Sequence, residues 1–104
     1  MNELIDKIEE CISQLLRYDT NSFGEQAQYV VNLMITILPS IINCYSDPRM
    51  SDVREDAVYW PAQLERIIKA LENDDSFEIT DILYNETRIN LMELRDTIVK
   101  RGLA

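Results

Sequence analysis

Histidine is missing from the chain altogether, and its absence removes more chemistry than any other feature does. Histidine-paired nucleophiles, the Glu-x-x-His ligand pattern of ferritin-like di-iron bundles and histidine-containing zinc sites are all excluded. Glycine is nearly as scarce, with two in 104 residues. No alternating apolar run bounded by turns occurs, so strands have no signal, and the chain shows neither a repeat nor a low-complexity tract. Basic residues are in deficit: ten Lys and Arg face nineteen Asp and Glu, a net charge of −9. Such a surface repels phosphate backbones and anionic lipid, so neither nucleic acid nor a membrane is expected as a partner. The opening residues, MNELIDKIEE, have neither a basic n-region nor an apolar h-region. That removes a secretory signal and leaves the cytoplasm as the expected location.

The length suits one domain with one core, and a hydrophobic fraction of 46% with a charged fraction of 28% is ordinary for a globular chain. Its most apolar stretch is NLMITILPSIINCY, residues 32–45. From Val30 to Tyr45 the apolar run of about 16 residues falls short of the ~20 needed to span a bilayer, and Asn32, Thr36, Ser40 and Asn43 interrupt it. Read as a helix, Ala27, Val30, Val31, Met34, Leu38, Ile41, Ile42 and Tyr45 advance by threes and fours through Pro39 without losing phase. A helix kinked at Pro39 is therefore expected, with the carbonyl of Ile35 lacking its usual partner.

Four helices cover nearly the whole chain. The first spans about residues 3–18, with Leu4, Ile5, Ile8, Ile12, Leu15 and Leu16 on one face and Asn2 as its cap. DTNS breaks it, and the capping-box spacing of Ser22 and Glu25 starts the second, which runs to about residue 45. After the loop SDPRMS, Asp52 and Glu55 repeat that spacing. Val53, Ala57, Trp60, Leu64, Ile67, Ile68 and Leu71 then form a stripe that passes Pro61 as the earlier one passes Pro39. Asp75 and Glu78 cap the fourth helix, and Ile79, Leu83, Leu91, Leu94 and Ile98 carry it to about residue 101, where Gly102 stops it. Short connections force antiparallel neighbours, so the expected fold is an all-α, up-down-up-down four-helix bundle with proline kinks in the second and third helices.

The first helix is the shortest and cannot cover the length of the second. Beyond Pro39 the bundle is expected to thin to three helices. Ile41, Tyr45, Tyr59 and Trp60 gather there, rimmed by Asp47, Asp52, Glu55 and Asp56, and make an exposed apolar surface for a partner. A second candidate is polar: Glu86 and Asn90 fall beside Ile79, Leu83 and Leu94 on the inner face, where they need hydrogen-bond partners such as Arg88, Gln63 or Tyr29. Cys11 and Cys44 lie far apart in an antiparallel pairing and read as core residues rather than a disulfide or a metal pair. ENDDSFEITD fails the EF-hand pattern, with Ile79 at the sixth place and Asn85 at the twelfth, and reads as acidic residues at a helix start. The Asn85-Glu86-Thr87 sequon lies inside a helix and reads as chance.

The stretch WPAQLERIIKALENDDSFEITDILYNETRINLMEL, residues 60–94, resembles a segment of small uncharacterised bacterial helical proteins. Trp60, Leu64, Leu71, Asp81, Leu83, Tyr84 and Glu86 carry the resemblance, which implies a helical bundle and no transferable activity. MELRDTI near the C-terminus is similar to the last helix of flagellar export chaperones, small acidic bundles that hold a partner's helical tail. The expected function is a non-enzymatic protein–protein interaction module, adaptor or chaperone-like, binding another protein or a second copy of itself through the aromatic end. No cofactor or metal is expected. The alternative is a bundle that binds a small molecule or metal near Glu86 and Asn90, which would require a cavity with converging polar atoms.

Overall fold

The computed structural model describes residues 2–17 and 23–103, and the apolar stripes there become helices. In chain order these are α1 (Asn2–Leu16), α2 (Phe23–Cys44), a 3-10 helix (Pro48–Val58), α3 (Tyr59–Glu72), α4 (Ser76–Thr80), a π-helix (Asp81–Thr87) and α5 (Arg88–Lys100). The last three follow one another without a break and act as one rod, so the assembly is an all-α four-helix bundle. α1 packs on α2 and α5, while α3 packs on α2 and α4, which closes the square. The expected caps at Asn2 and Ser22 and the break at DTNS, residues 19–22, rest on atoms outside the described ones.

α2 passes through Pro39 unbroken, as the phase of its stripe requires. Its buried row is Ala27, Val30, Val31, Met34, Ile37, Ile41 and Cys44. Ile42, expected in this row, is exposed, and Ile37 takes a core place instead. The apolar run is also longer than the sequence reading made it. An 18-residue window within Glu25–Cys44 has a mean hydropathy of 1.4, enough in length and composition to cross a membrane, with part of that surface packed inside the bundle. In α1, Leu4, Ile8, Cys11, Ile12 and Leu15 are buried, whereas Leu16 points outward.

The third rod departs from expectation. Its α-helix begins at Tyr59 rather than near Asp52, and Pro61 falls in its first turn instead of kinking its middle. Proline has no N–H, and the first turn of a helix is where N–H groups have no intrahelical partner. Placing the switch from 3-10 to α pairing at Tyr59 therefore wastes no donor. Upstream, Pro48 opens the 3-10 helix and Asp47 caps it by accepting from the Arg49 N–H at 2.9 Å. Three residues per turn align Met50 with Val53, and this row faces the core.

Two left-handed residues terminate rods. At Gly102 (φ +72°) the Leu103 N–H bonds the Ile98 carbonyl at 3.0 Å and the Gly102 N–H bonds that of Val99 at 3.1 Å, a Schellman ending with Leu103 buried behind it. Asp74 (φ +51°) ends α3 in the same way, through the Asp75 N–H on Ala70 and its own N–H on Leu71. Asp75 then caps α4 by accepting from the Glu78 N–H at 3.0 Å, so the acidic cluster acts as a helix start.

The π-helix changes which residues face inward. Ile79, Leu83, Thr87 and Leu91 are each fully buried, a spacing of four held over three steps. An α-helix would drift off that row, whereas the wider π turn keeps it in register. Thr87 thus takes an inner position, and Glu86 moves to the boundary. The Thr87 hydroxyl is buried with no hydrogen-bond partner among the described residues. Thr87→Val keeps the shape and removes that cost, so it should raise stability by about 1 kcal/mol in urea denaturation.

Candidate functional site

The far end of the bundle is closed by three arginines. Arg54 donates to the carbonyls of Tyr45 (3.0 Å), Ser46 (3.4 Å) and Asp47 (3.4 Å), in the turn that follows α2. Arg101, just past α5, grips the Asp52 carboxylate with two guanidinium nitrogens and also donates to the Arg49 carbonyl at 2.8 Å. Arg49 returns the contact by donating to the Gly102 carbonyl at 2.8 Å. The 3-10 helix is thereby fastened to the ends of α2 and α5.

This closure corrects the aromatic end. Ile41, Tyr45 and Trp60 were expected on an exposed surface, but Met50 and its row cover that end and all three are core; Trp60 is 3% exposed. The Trp60 indole N–H donates to the Tyr45 hydroxyl at 2.9 Å, so both polar tips are satisfied inside. Of the four expected anchors only Tyr59, 37% exposed, reaches the surface. Its ring meets that of Trp60 edge-on, with centroids 6.2 Å apart.

Tyr59 also joins the two candidate sites that the sequence kept separate. Its hydroxyl accepts from Gln63 Nε2 and Asn90 Nδ2, both at 2.8 Å, and lies 3.4 Å from Glu86 Oε1, to which it donates. Glu86 is not an inner-face residue: Arg66 holds it by a two-pronged pair at 2.9 and 3.1 Å. The expected partners Arg88 and Tyr29 are engaged elsewhere, Arg88 over the Tyr84 ring and Tyr29 with Glu10. Gln63 is buried with its amide oxygen unpaired among the described residues. Sequence reasoning named it only as a neighbour.

Beside this network a cavity of about 370 Å³ opens between the 3-10 helix, α3 and α5. Tyr45, Met50, Val53, Tyr59, Trp60 and Leu94 supply its apolar wall, and Asp56, Asn90, Glu93 and Thr97 its polar one. Asn90, Glu93, Leu94 and Thr97 share one helix face, so the spacing from Asn90 could have exposed the missed members. Burial raises the Tyr45 phenol above its usual range, against the opposing pull of the Trp60 hydrogen bond. Burial and the Glu86 charge likewise raise that of Tyr59. Both are neutral near pH 7.

The thiols take no part. Cys11 and Cys44 are free and fully buried, and burial with the nearby Glu10 pushes Cys11 up to about 12. Among the described residues no three His, Cys, Asp or Glu side chains form a group that could hold a metal ion. The chain matches no protein-family model, no curated protein and no solved structure. What the site can do follows from its own chemistry: it can bind through apolar contact, hydrogen bonds and negative charge.

The closure carries a pH signature. The hydrogen bonds from Arg101 hold the Asp52 carboxyl below its ordinary value of 3.8, so the contribution is complete above that value and fades as pH falls through the lower folded one. Thermal melts taken downward from about pH 6 should show wild type losing stability below pH 3.8, and Arg101→Gln losing less over the same interval.

Proposed function

We propose that this chain is a non-enzymatic interaction module that holds an amphipathic, basic helix of a partner protein along the seam between α2 and α3. The carrying observation is that α2 is apolar on both faces. Its inner row completes the bundle core, yet Ile35 and Ile42 stand 49% and 40% exposed on the outer side, with Leu38 partly buried between them. Across the seam Pro61 and Ile68 continue the surface, and Leu64 forms the floor. Exposed isoleucines that flank one seam of an uncharged helix make an apolar surface that a partner can cover. From residue 26 to residue 46 the sequence has no charged side chain, in a protein whose charged fraction is 28%.

The chemistry of the occupant follows from the banks of the groove. The α2 bank is neutral, with Asn32, Thr36 and Asn43 exposed; the α3 bank carries Glu65, Lys69 and Glu72, and because Lys69 pairs with Glu65 at 3.6 Å, Glu72 is left as its unbalanced charge. A helix with one apolar stripe and lysines or arginines beside it satisfies both banks, and the net charge of −9 speeds its approach. A second copy would bring another −9. The function is the one expected from sequence, moved from the aromatic end to this seam. The small-molecule alternative keeps an observation of its own in the cavity.

A synthetic amphipathic helix with a leucine stripe and lysine flanks tests the reading. Titrated into labelled protein, it should shift the amides of residues 35–42 and 64–68, bind more weakly as salt rises, and lose at least tenfold in affinity to Ile35→Ser with Ile68→Ser. Circular dichroism should be unchanged, since both side chains are surface ones. Shifts elsewhere, or equal binding of a glutamate-flanked peptide, would contradict the proposal. Concentration-dependent dimerisation abolished by the same pair would replace the basic helix with a second copy.

A further inference from the structure

The last rod carries a second inference, independent of the helix-binding reading. We infer that this rod is a two-register device: its N-terminal half turns between the observed π pairing and a continuous α-helix, and the Arg88 side chain is the latch that holds the π register. In the observed register Ile79, Ile82 and Leu83 are fully buried, while Phe77 stands 87% exposed and Tyr84 also reaches the surface. Both sets lie on one stretch of chain. Which of them faces inward is decided by the pairing.

Counting back from the buried Leu91 at about 100° per residue, Tyr84, Thr80 and Phe77 all fall within about 40° of its face, seven, eleven and fourteen residues away. On the same count Ile79 would stand about 120° and Ile82 about 180° from that face. A plain α-helix therefore has an apolar row of its own, Phe77, Tyr84, Leu91, Leu94 and Ile98, which the π turn sets aside. Three aliphatic side chains against two aromatic ones leave the registers close in buried apolar surface.

The choice between them is marked at Arg88. In an α-helix its N–H would bond the carbonyl of Tyr84, four residues back; here it bonds that of Leu83, five back. The Tyr84 carbonyl accepts from Arg88 Nε instead, at 3.1 Å, and the guanidinium lies 4.2 Å from the centre of the Tyr84 ring. The side chain of Arg88 thus supplies the bond that its backbone gives up, and its stacking holds Tyr84 outside. Its remaining contact is Met92 Sδ at 3.9 Å, so no carboxylate among the described residues draws the guanidinium away.

Relaxation dispersion of backbone amides and side-chain methyls in the full-length protein tests the device. Wild type should show one exchange process on the microsecond-to-millisecond scale, with a minor state of about 1%, confined to residues 76–88, the turn 73–75 that must follow the rotation, and the facing residues of α3. Arg88→Ala removes the latch and leaves both apolar rows intact, so it should raise the minor population about threefold or more. Asn85 is an exposed residue of the π turn. Its deletion places Leu83 and Ile79 seven and eleven residues before Leu91, on the inner face of a plain α-helix, so the exchange should vanish from a protein that keeps its helical circular dichroism. Flat dispersion in wild type and Arg88→Ala alike, exchange spread equally over α1 and α2, or exchange that survives the deletion would each overturn the inference.

Discussion

The rest of the structure depends on how the long helices are closed at the end that α1 does not reach. At about 1.5 Å per residue, the 15 residues of α1 fall some 10 Å short of the 22 of α2. The 3-10 helix fills the difference: Met50, with Val53 and Ala57 beside it, packs on the core, and arginines on backbone carbonyls and one carboxylate fasten its outer side. The carbonyls they hold lie in the turn after α2, in the first turn of the 3-10 helix and at Gly102 beyond α5. Loss of the 3-10 helix would uncover Trp60, Tyr45 and Ile41 together. The same segment, laid against α3 and α5, lines the cavity at this end.

Closing that end redistributes the binding surface. The strongest apolar side chains near Pro39 become core, and the outer side of α2 is left as an uncharged apolar face. Tyr59 stands at the junction, its ring against Trp60 and its hydroxyl shared by Gln63, Asn90 and Glu86. It couples the packed interior to the polar seam of α3 and α5.

Much of this was legible in the sequence where polar and apolar residues alternate cleanly. In the last rod, Ile79, Leu83, Leu91, Leu94 and Ile98 were read as core and are core, and the caps at Asp75 and Gly102 stand where their residue types place them. α2 was harder because it carries large apolar side chains on its outer as well as its inner side, so several stripes fit; Ile42 was assigned inward while Ile37 holds the place. The π turn leaves no mark on composition, and it decides that Thr87 rather than Glu86 faces inward. The 3-10 helix shares its spacing of three with an α-helical stripe. Its boundary was legible only in the missing N–H of Pro61. Gln63 was passed over as a core member because buried amides are recognised by partners, and its partner Tyr59 is distant from Asn90 and Glu86 in sequence.

Trp60 is the chain's single tryptophan, so its fluorescence reports directly on the closure. If the 3-10 helix seals this end, the monomeric protein should show blue-shifted emission that acrylamide quenches poorly, with both properties lost together on unfolding. Red-shifted, freely quenched emission from a folded monomer would show an open end with Trp60 on the surface, contradicting the account.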